Sequence, residues 1–134
     1  MKEDIRSYYI GASDYATHKF QIWDLWIEYK LNSFDGDLLK RTLRHKTTDP
    51  REMDYKKIIH ICKERIRQIE ENGKDWWEYP NINPKYSIHD IWNEYNLNEI
   101  DGSIVQNILF PNTDRISDYN RIIYLCEEVL NAKS

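Results

Sequence analysis

Residues 19–39, KFQIWDLWIEYKLNSFDGDLL, and residues 85–105, KYSIHDIWNEYNLNEIDGSIV, are two versions of one segment. Lys19, Ile22, Asp24, Trp26, Glu28, Tyr29, Leu31, Asn32, Asp35 and Gly36 recur as Lys85, Ile88, Asp90, Trp92, Glu94, Tyr95, Leu97, Asn98, Asp101 and Gly102. After a two-residue deletion the match resumes, with Asp54, Tyr55, Ile58, Ile59, Cys62 and Glu64 returning as Asp118, Tyr119, Ile122, Ile123, Cys126 and Glu128. An internal repeat constrains the fold more than any composition does. One such unit, at about 60 residues, would bury too little surface to be stable alone. The expectation is therefore two copies sharing a core or a tight interface. The duplication also supplies a control: features in both copies point to scaffold, and features in one copy point to function.

Each copy has the periodicity of three helices. Ile22, Leu25, Trp26 and Tyr29 fall at i, i+3, i+4 and i+7, one face of a helix over about 20–32, and Ile88, Ile91, Trp92 and Tyr95 repeat the pattern. Asp35 and Asp101 follow turn residues and are expected as N-caps of a second helix. That helix should run to about 46 in copy one and be ended early by Pro111 in copy two. Asp49-Pro50 predicts the start of the third helix, with Ser117 as the matching cap. With only four Gly and four Pro, the composition agrees with helices. The fold class is thus all-α, two tandem pseudo-symmetric three-helix repeats. The first occupies 1–72 with an aromatic N-terminal segment, 73–84 is an aromatic linker, and the second, more degenerate repeat occupies 85–134.

Charge is uneven. The net −4 of the chain divides into +1 over residues 1–73 and −5 over 74–134. Without a large basic surplus, nucleic acid is disfavoured as a partner. No apolar run reaches the length of about 20 residues that spans a membrane, and no signal-peptide pattern opens the chain. A cytoplasmic protein is expected. Cys62 and Cys126 occupy matching positions on apolar faces and read as buried small hydrophobes, with a disulfide between the copies as the alternative. His18, His45, His60 and His89 are scattered, with no HExxH and no CxxC, so neither a metal nor a cofactor is expected. Asp24 and Glu28, kept as Asp90 and Glu94, suggest hydrogen bonding to a loop or to the other copy, with general acid–base work as the alternative.

The copies differ most on the second helix. Lys40, Arg41, Arg44 and Lys46 of copy one become Gln106, Asn107, Phe110 and Asn112. Like charges three and four residues apart repel, which calls for carboxylates nearby or a bound anion. Arg suits bidentate phosphate contacts and Lys point-charge contacts. A solvated helix end is the plain alternative, since cations are favoured near a helix C-terminus. Trp76, Trp77, Tyr79, Tyr8, Tyr9 and Tyr15 lie in loop-like segments, where they either stack on a base or seal the junction between copies.

Asp24, Leu31-Asn32-Ser33-Phe34, Gly36-Asp37, Lys40, Arg44, Lys46 and Asp54-Tyr55-Lys56-Lys57 together resemble a small helical domain of tailed phages. That family is described as nucleotide-kinase-like and is similar to the C-terminal region of a phage deoxynucleoside monophosphate kinase. The resemblance covers about residues 15–70 and recurs weakly over 85–130. It departs at Asp37 and Ser103, where the family has Asn, and at Arg41 and Asn107, where it has Tyr. It implies a nucleotide-binding protein, with phosphotransferase activity left open. Lys40, Arg41, Arg44, His45 and Lys46 would hold phosphate, and Tyr15, Trp76 or Trp77 would offer a stacking surface. The competing class is a non-enzymatic interaction module, such as a phage factor acting on a host protein. Self-association is left open by the sequence.

Overall fold

A computed structural model describes residues 18–44 and 50–132. Tyr15, His45 and Lys46 lie outside the described residues, as do Tyr8, Tyr9 and Asp49. The described residues form six helices and no strand: α1 (Ile22–Glu28), α2 (Ser33–Leu43), α3 (Arg51–Asn72), α4 (Ile88–Glu94), α5 (Glu99–Leu109) and α6 (Arg115–Ala132). The fold is all-α. The long helices α3 and α6 pack on each other, and α2 and α5 pack on them and on each other. One apolar core draws on both halves, with Leu25, Leu38, Ile58 and Cys62 fully buried beside Ile91, Ile104, Ile122 and Cys126. Both cysteines are free thiols. Burial pushes the Cys126 thiol up to about 12 and the Cys62 thiol well above its ordinary value.

The short helices end sooner than their periodicity predicts. In α1, Tyr29 is the C-cap, and Lys30 turns the chain at φ 50°; Asn96 does the same after α4. The left-handed conformation suits Asn better than Lys, and both positions stop the helix where periodicity alone would carry it on. Reciprocal N-terminal hydrogen bonds set the starts. Gln21 N–H donates to Asp24 Oδ2 at 2.7 Å, and Ser87 N–H to Asp90 Oδ2 at 2.8 Å.

Asp35 and Asp101 are not N-caps. Asn32 and Asn98 hold those places, their side chains accepting from Asp35 N–H and Asp101 N–H at 2.8 Å each. The aspartates are third in their helices and buried, and each is bonded by the other half of the chain. Tyr119 Oη donates to Asp35 Oδ1 at 2.7 Å and Arg115 Nη2 to Asp35 Oδ2 at 3.0 Å. Tyr55 Oη donates to Asp101 Oδ1 at 2.8 Å and Arg51 Nη2 to Asp101 Oδ2 at 3.1 Å. The first turn of a helix favours a carboxylate, so the same position satisfies both the backbone and the crossing bonds.

The remaining boundaries follow from those arginines. Pro50 is the N-cap of α3 and Arg51 its first residue. Helix α6 starts at Arg115, so Ser117 lies inside it rather than capping it. Helices α2 and α5 both have eleven residues. Pro111 therefore does not shorten the second of the pair, because an arginine finishes each helix in the same way. Arg51 donates to the carbonyls of Arg41, Thr42 and Arg44, and Arg115 to those of Asn107 and Ile108.

The segments before α1 and α4 are held in the same crossed fashion. Lys19 N–H donates to Glu94 Oε1 at 2.8 Å, and Lys85 N–H to Glu28 Oε1 at 2.6 Å. Tyr29 Oη donates to the Tyr86 carbonyl, and Tyr95 Oη to that of Phe20. Glu28, Glu94, Asp24 and Asp90 thus bond loops and the opposite half, as expected.

Two outcomes are expected. Asp35→Ala leaves the buried Arg115 with Asp118 as its one carboxylate partner, at 3.0 Å, and Tyr119 without its acceptor, and should cost about 1–3 kcal/mol in urea unfolding. Asp101→Ala should cost less, because the Arg51 side chain is 20% exposed and can reach water. The phenols of Tyr29 and Tyr55 are each raised to about 12, chiefly by burial and then by neighbouring carboxylates. A raised folded value means full stability below the ordinary value near 10 and progressive loss above it. Helicity should therefore fall as pH rises from about 10 to about 12, while tyrosinate absorbance rises over the same range.

Candidate functional site

The contrast between copies directs attention to the C-terminal end of α2. Lys40, Arg41 and Arg44 sit there, on the last turn and its cap. A helix end of this kind presents unsatisfied carbonyls and a partial negative charge. Here Arg51 occupies three of those carbonyls, at 2.8 Å (Arg41), 2.7 Å (Thr42) and 3.1 Å (Arg44). The Arg44 N–H also donates to the Lys40 carbonyl at 2.9 Å. The backbone is thus already compensated, and Arg41 and Arg44 do not take up those carbonyls.

The guanidinium groups of Arg41 and Arg44 are only partly satisfied. The Nε of each is buried and has no hydrogen-bond partner. Arg41 Nε lies 3.7 Å from Asp37 Oδ1, close enough for an ion pair but too long for a hydrogen bond. Buried donors without acceptors are uncommon and costly. Two such donors, both from arginines, lie on this one helix end. The matching end of α5 differs in kind. Asn107 Nδ2 donates to the Ser103 carbonyl at 2.7 Å, and Phe110 meets the Tyr29 ring edge-on with centroids 5.8 Å apart.

Trp76 and Trp77 are not brought to this end. Trp76 packs edge-on against Phe34 and Trp77, and its Nε1 donates to Gln68 Oε1 at 2.7 Å. The Arg65 guanidinium lies 4.9 Å from the Trp76 ring centroid. Phe34 is seven residues before Arg41 on α2, about 10 Å along the axis. The tryptophans therefore line the opposite end of α2 from the cations.

The third linker aromatic, Tyr79, joins the buried polar cluster around Asp35. Arg115 Nε donates to Tyr79 Oη at 2.8 Å, and Tyr79 Oη donates to Asp35 Oδ2 at 3.3 Å. Arg65, fully buried, donates to Tyr119 Oη at 3.0 Å and through Nη2 to both oxygens of Asp75, at 2.8 and 2.7 Å. Desolvation, and then the Asp35 charge, raise the Tyr119 and Tyr79 phenols above their ordinary value. This cluster ties the linker to both halves.

Arg51 and Arg115 are the residues that sequence reasoning missed. The signal was present: Arg51, Asp54 and Tyr55 recur as Arg115, Asp118 and Tyr119 at the same offset, an Arg-x-x-Asp-Tyr pattern starting three residues before the matched block. Among the described residues, no group of three or more His, Cys, Asp or Glu side chains is placed to hold a metal ion. Nor, among the described residues, is any helix long and apolar enough to cross a membrane. No protein-family model, curated protein or solved structure matches this chain significantly.

A consequence for stability follows from the unsatisfied donors. Replacing Arg44 by Met keeps the aliphatic stem and removes a buried donor without a partner. Arg44→Met should therefore leave the denaturation midpoint unchanged within about 0.5 kcal/mol or raise it.

Proposed function

We propose that this protein binds a nucleotide through its phosphate groups at the basic end of α2. The observation that carries the reading is the pair of buried, unpartnered Nε donors on Arg41 and Arg44, in the one copy that has the cations. Guanidinium edges match phosphate oxygens in pairs. Lys40 adds charge from the preceding turn, and His45 and Lys46 follow directly in the chain. The resemblance to the nucleotide-kinase-like domains of tailed phages points to the same ligand class and to the cytoplasm of an infected host. Binding or sequestration is the activity proposed. Phosphoryl transfer would require a second aligned substrate and charge stabilisation in the transition state, and the residues at this end supply charge alone.

A second reading rests on a different contrast. Helix α1 exposes Trp23 and Ile27, the latter 73% accessible, where α4 carries His89 and Asn93 bonded to each other. Exposed aromatic and aliphatic anchors on one face suit a protein partner, so an interaction module acting on a host protein is the alternative.

Calorimetric titration with deoxynucleoside mono- and triphosphates and cyclic signalling nucleotides tests the first reading. Wild type should bind at least one ligand with micromolar affinity, and Arg41→Gln/Arg44→Gln should weaken it at least about tenfold, the loss of two charge-assisted contacts. Equal affinity in the variant removes the basis of the proposal. Stoichiometric recovery of one host protein, lost in Trp23→Ser/Ile27→Ser, would favour the second.

A further inference from the structure

The carboxylate beside the cations bears on which anion the site accepts. Asp37 is four residues before Arg41, and its Oδ1 stands 3.7 Å from Arg41 Nε. It is 43% exposed, against 21% for Arg41, so it is the movable member of the pair. Copy two has Ser103 and Asn107 at these two positions. The carboxylate and its arginine are thus both absent where the other cations are absent. In α5 the same two positions are joined instead by an uncharged bond, Asn107 Nδ2 to the Ser103 carbonyl at 2.7 Å, so the charged pair is particular to α2.

We infer that Asp37 is the resident counter-ion of this site, and that an incoming phosphate displaces it from Arg41 Nε. The inference rests on the anion-binding reading above and adds a selection rule to it. Displacing a carboxylate costs an ion pair, and the approaching anion also meets the like charge of Asp37. A singly charged carboxylate or halide only replaces what it removes. A phosphate chain with several charges and oxygens engages Arg41 and Arg44 together and more than offsets the loss. The ligand class selected is a di- or triphosphate, or another multiply charged phosphate, in preference to monoanions.

The test uses the full chain, with inorganic pyrophosphate and acetate as probes at fixed ionic strength, followed by titration calorimetry. Wild type, Asp37→Asn and Asp37→Ser are compared, each also in an Arg41→Gln background, and thermal unfolding establishes that every variant is folded. Both Asp37 variants should bind pyrophosphate about two- to fivefold more tightly, the range of an exposed ion pair. Acetate should gain at least as much, so that the preference for pyrophosphate narrows. In the Arg41→Gln background the gain should vanish, because the displaced contact no longer exists. Unchanged or weaker pyrophosphate binding in the Asp37 variants, with binding still dependent on Arg44, overturns the counter-ion role and leaves the anion site standing. The same gain with Arg41→Gln also overturns it, since Asp37 would then act only through net charge. Absence of pyrophosphate binding in wild type and in both Asp37 variants overturns this inference and the anion-binding reading together.

Discussion

Two buried carboxylates set the geometry of this molecule. Asp35 and Asp101 each stand in the first turn of a helix in one half and receive an arginine and a tyrosine from the other half. Taking such groups out of water is expensive, and a buried ion pair often adds little net stability against an apolar replacement. What the arrangement supplies is register. Arg51 and Tyr55, like Arg115 and Tyr119, are four apart on the opening turn of a long helix, so both side chains reach one carboxylate only at one rotation and one height. The same guanidinium groups then close the carbonyl end of α2 or α5 in their own half. Each arginine thereby fixes three helix ends at once.

The two carboxylates are not equally shielded. Around Asp101 the partners are Arg51 and Tyr55, with Arg51 partly open to water. Around Asp35 the cluster extends through Tyr79, Tyr119, Arg65 and Asp75 into the linker. At the position of Arg65 the second copy has Val129, which cannot continue such a chain of bonds. The linker joins the halves only once, so it can be anchored at only one of the two equivalent places. That asymmetry accounts for the aromatic residues of 73–84: Tyr79 completes the buried cluster, and Trp76 lies over Arg65 and against Phe34.

Helical class and the approximate number of helices were legible because they follow from local periodicity. The matched segments, the bonding of Glu28 and Glu94 to loops, and the burial of both cysteines follow from residues that both copies keep. The aspartates were misassigned for a physical reason. Asn32 and Asp35 are both good caps, and sequence alone does not show that burial reserves the second for a distant arginine. The crossed pairs link positions 46 to 84 residues apart, and no local pattern encodes which half supplies the donor. The early stops of α1 and α4 depend on left-handed Lys30 and Asn96, and a lysine gives no warning of that conformation. At the candidate site, Lys40, Arg41 and Arg44 were visible through the contrast between copies. The unsatisfied Nε atoms and the compensating Arg51 required coordinates.

The scaffold leaves the ends of α2 and α5 free to diverge. An uncapped helix C-terminus repels anions and must find donors for its last carbonyls. In both halves an arginine from the third helix supplies those donors, so the side chains of the final turn are released from that task. In α5 they have become Gln106, Asn107 and Phe110, and Phe110 packs on Tyr29. In α2 they are Lys40, Arg41 and Arg44, and two of their donors remain without acceptors. Both sets of side chains sit on helices of equal length ended in the same way, so the change from one surface to the other needed no change of fold. The cations of α2 are therefore a property of its side chains alone: the backbone end is closed by Arg51, and Arg41 stands within ion-pair distance of Asp37.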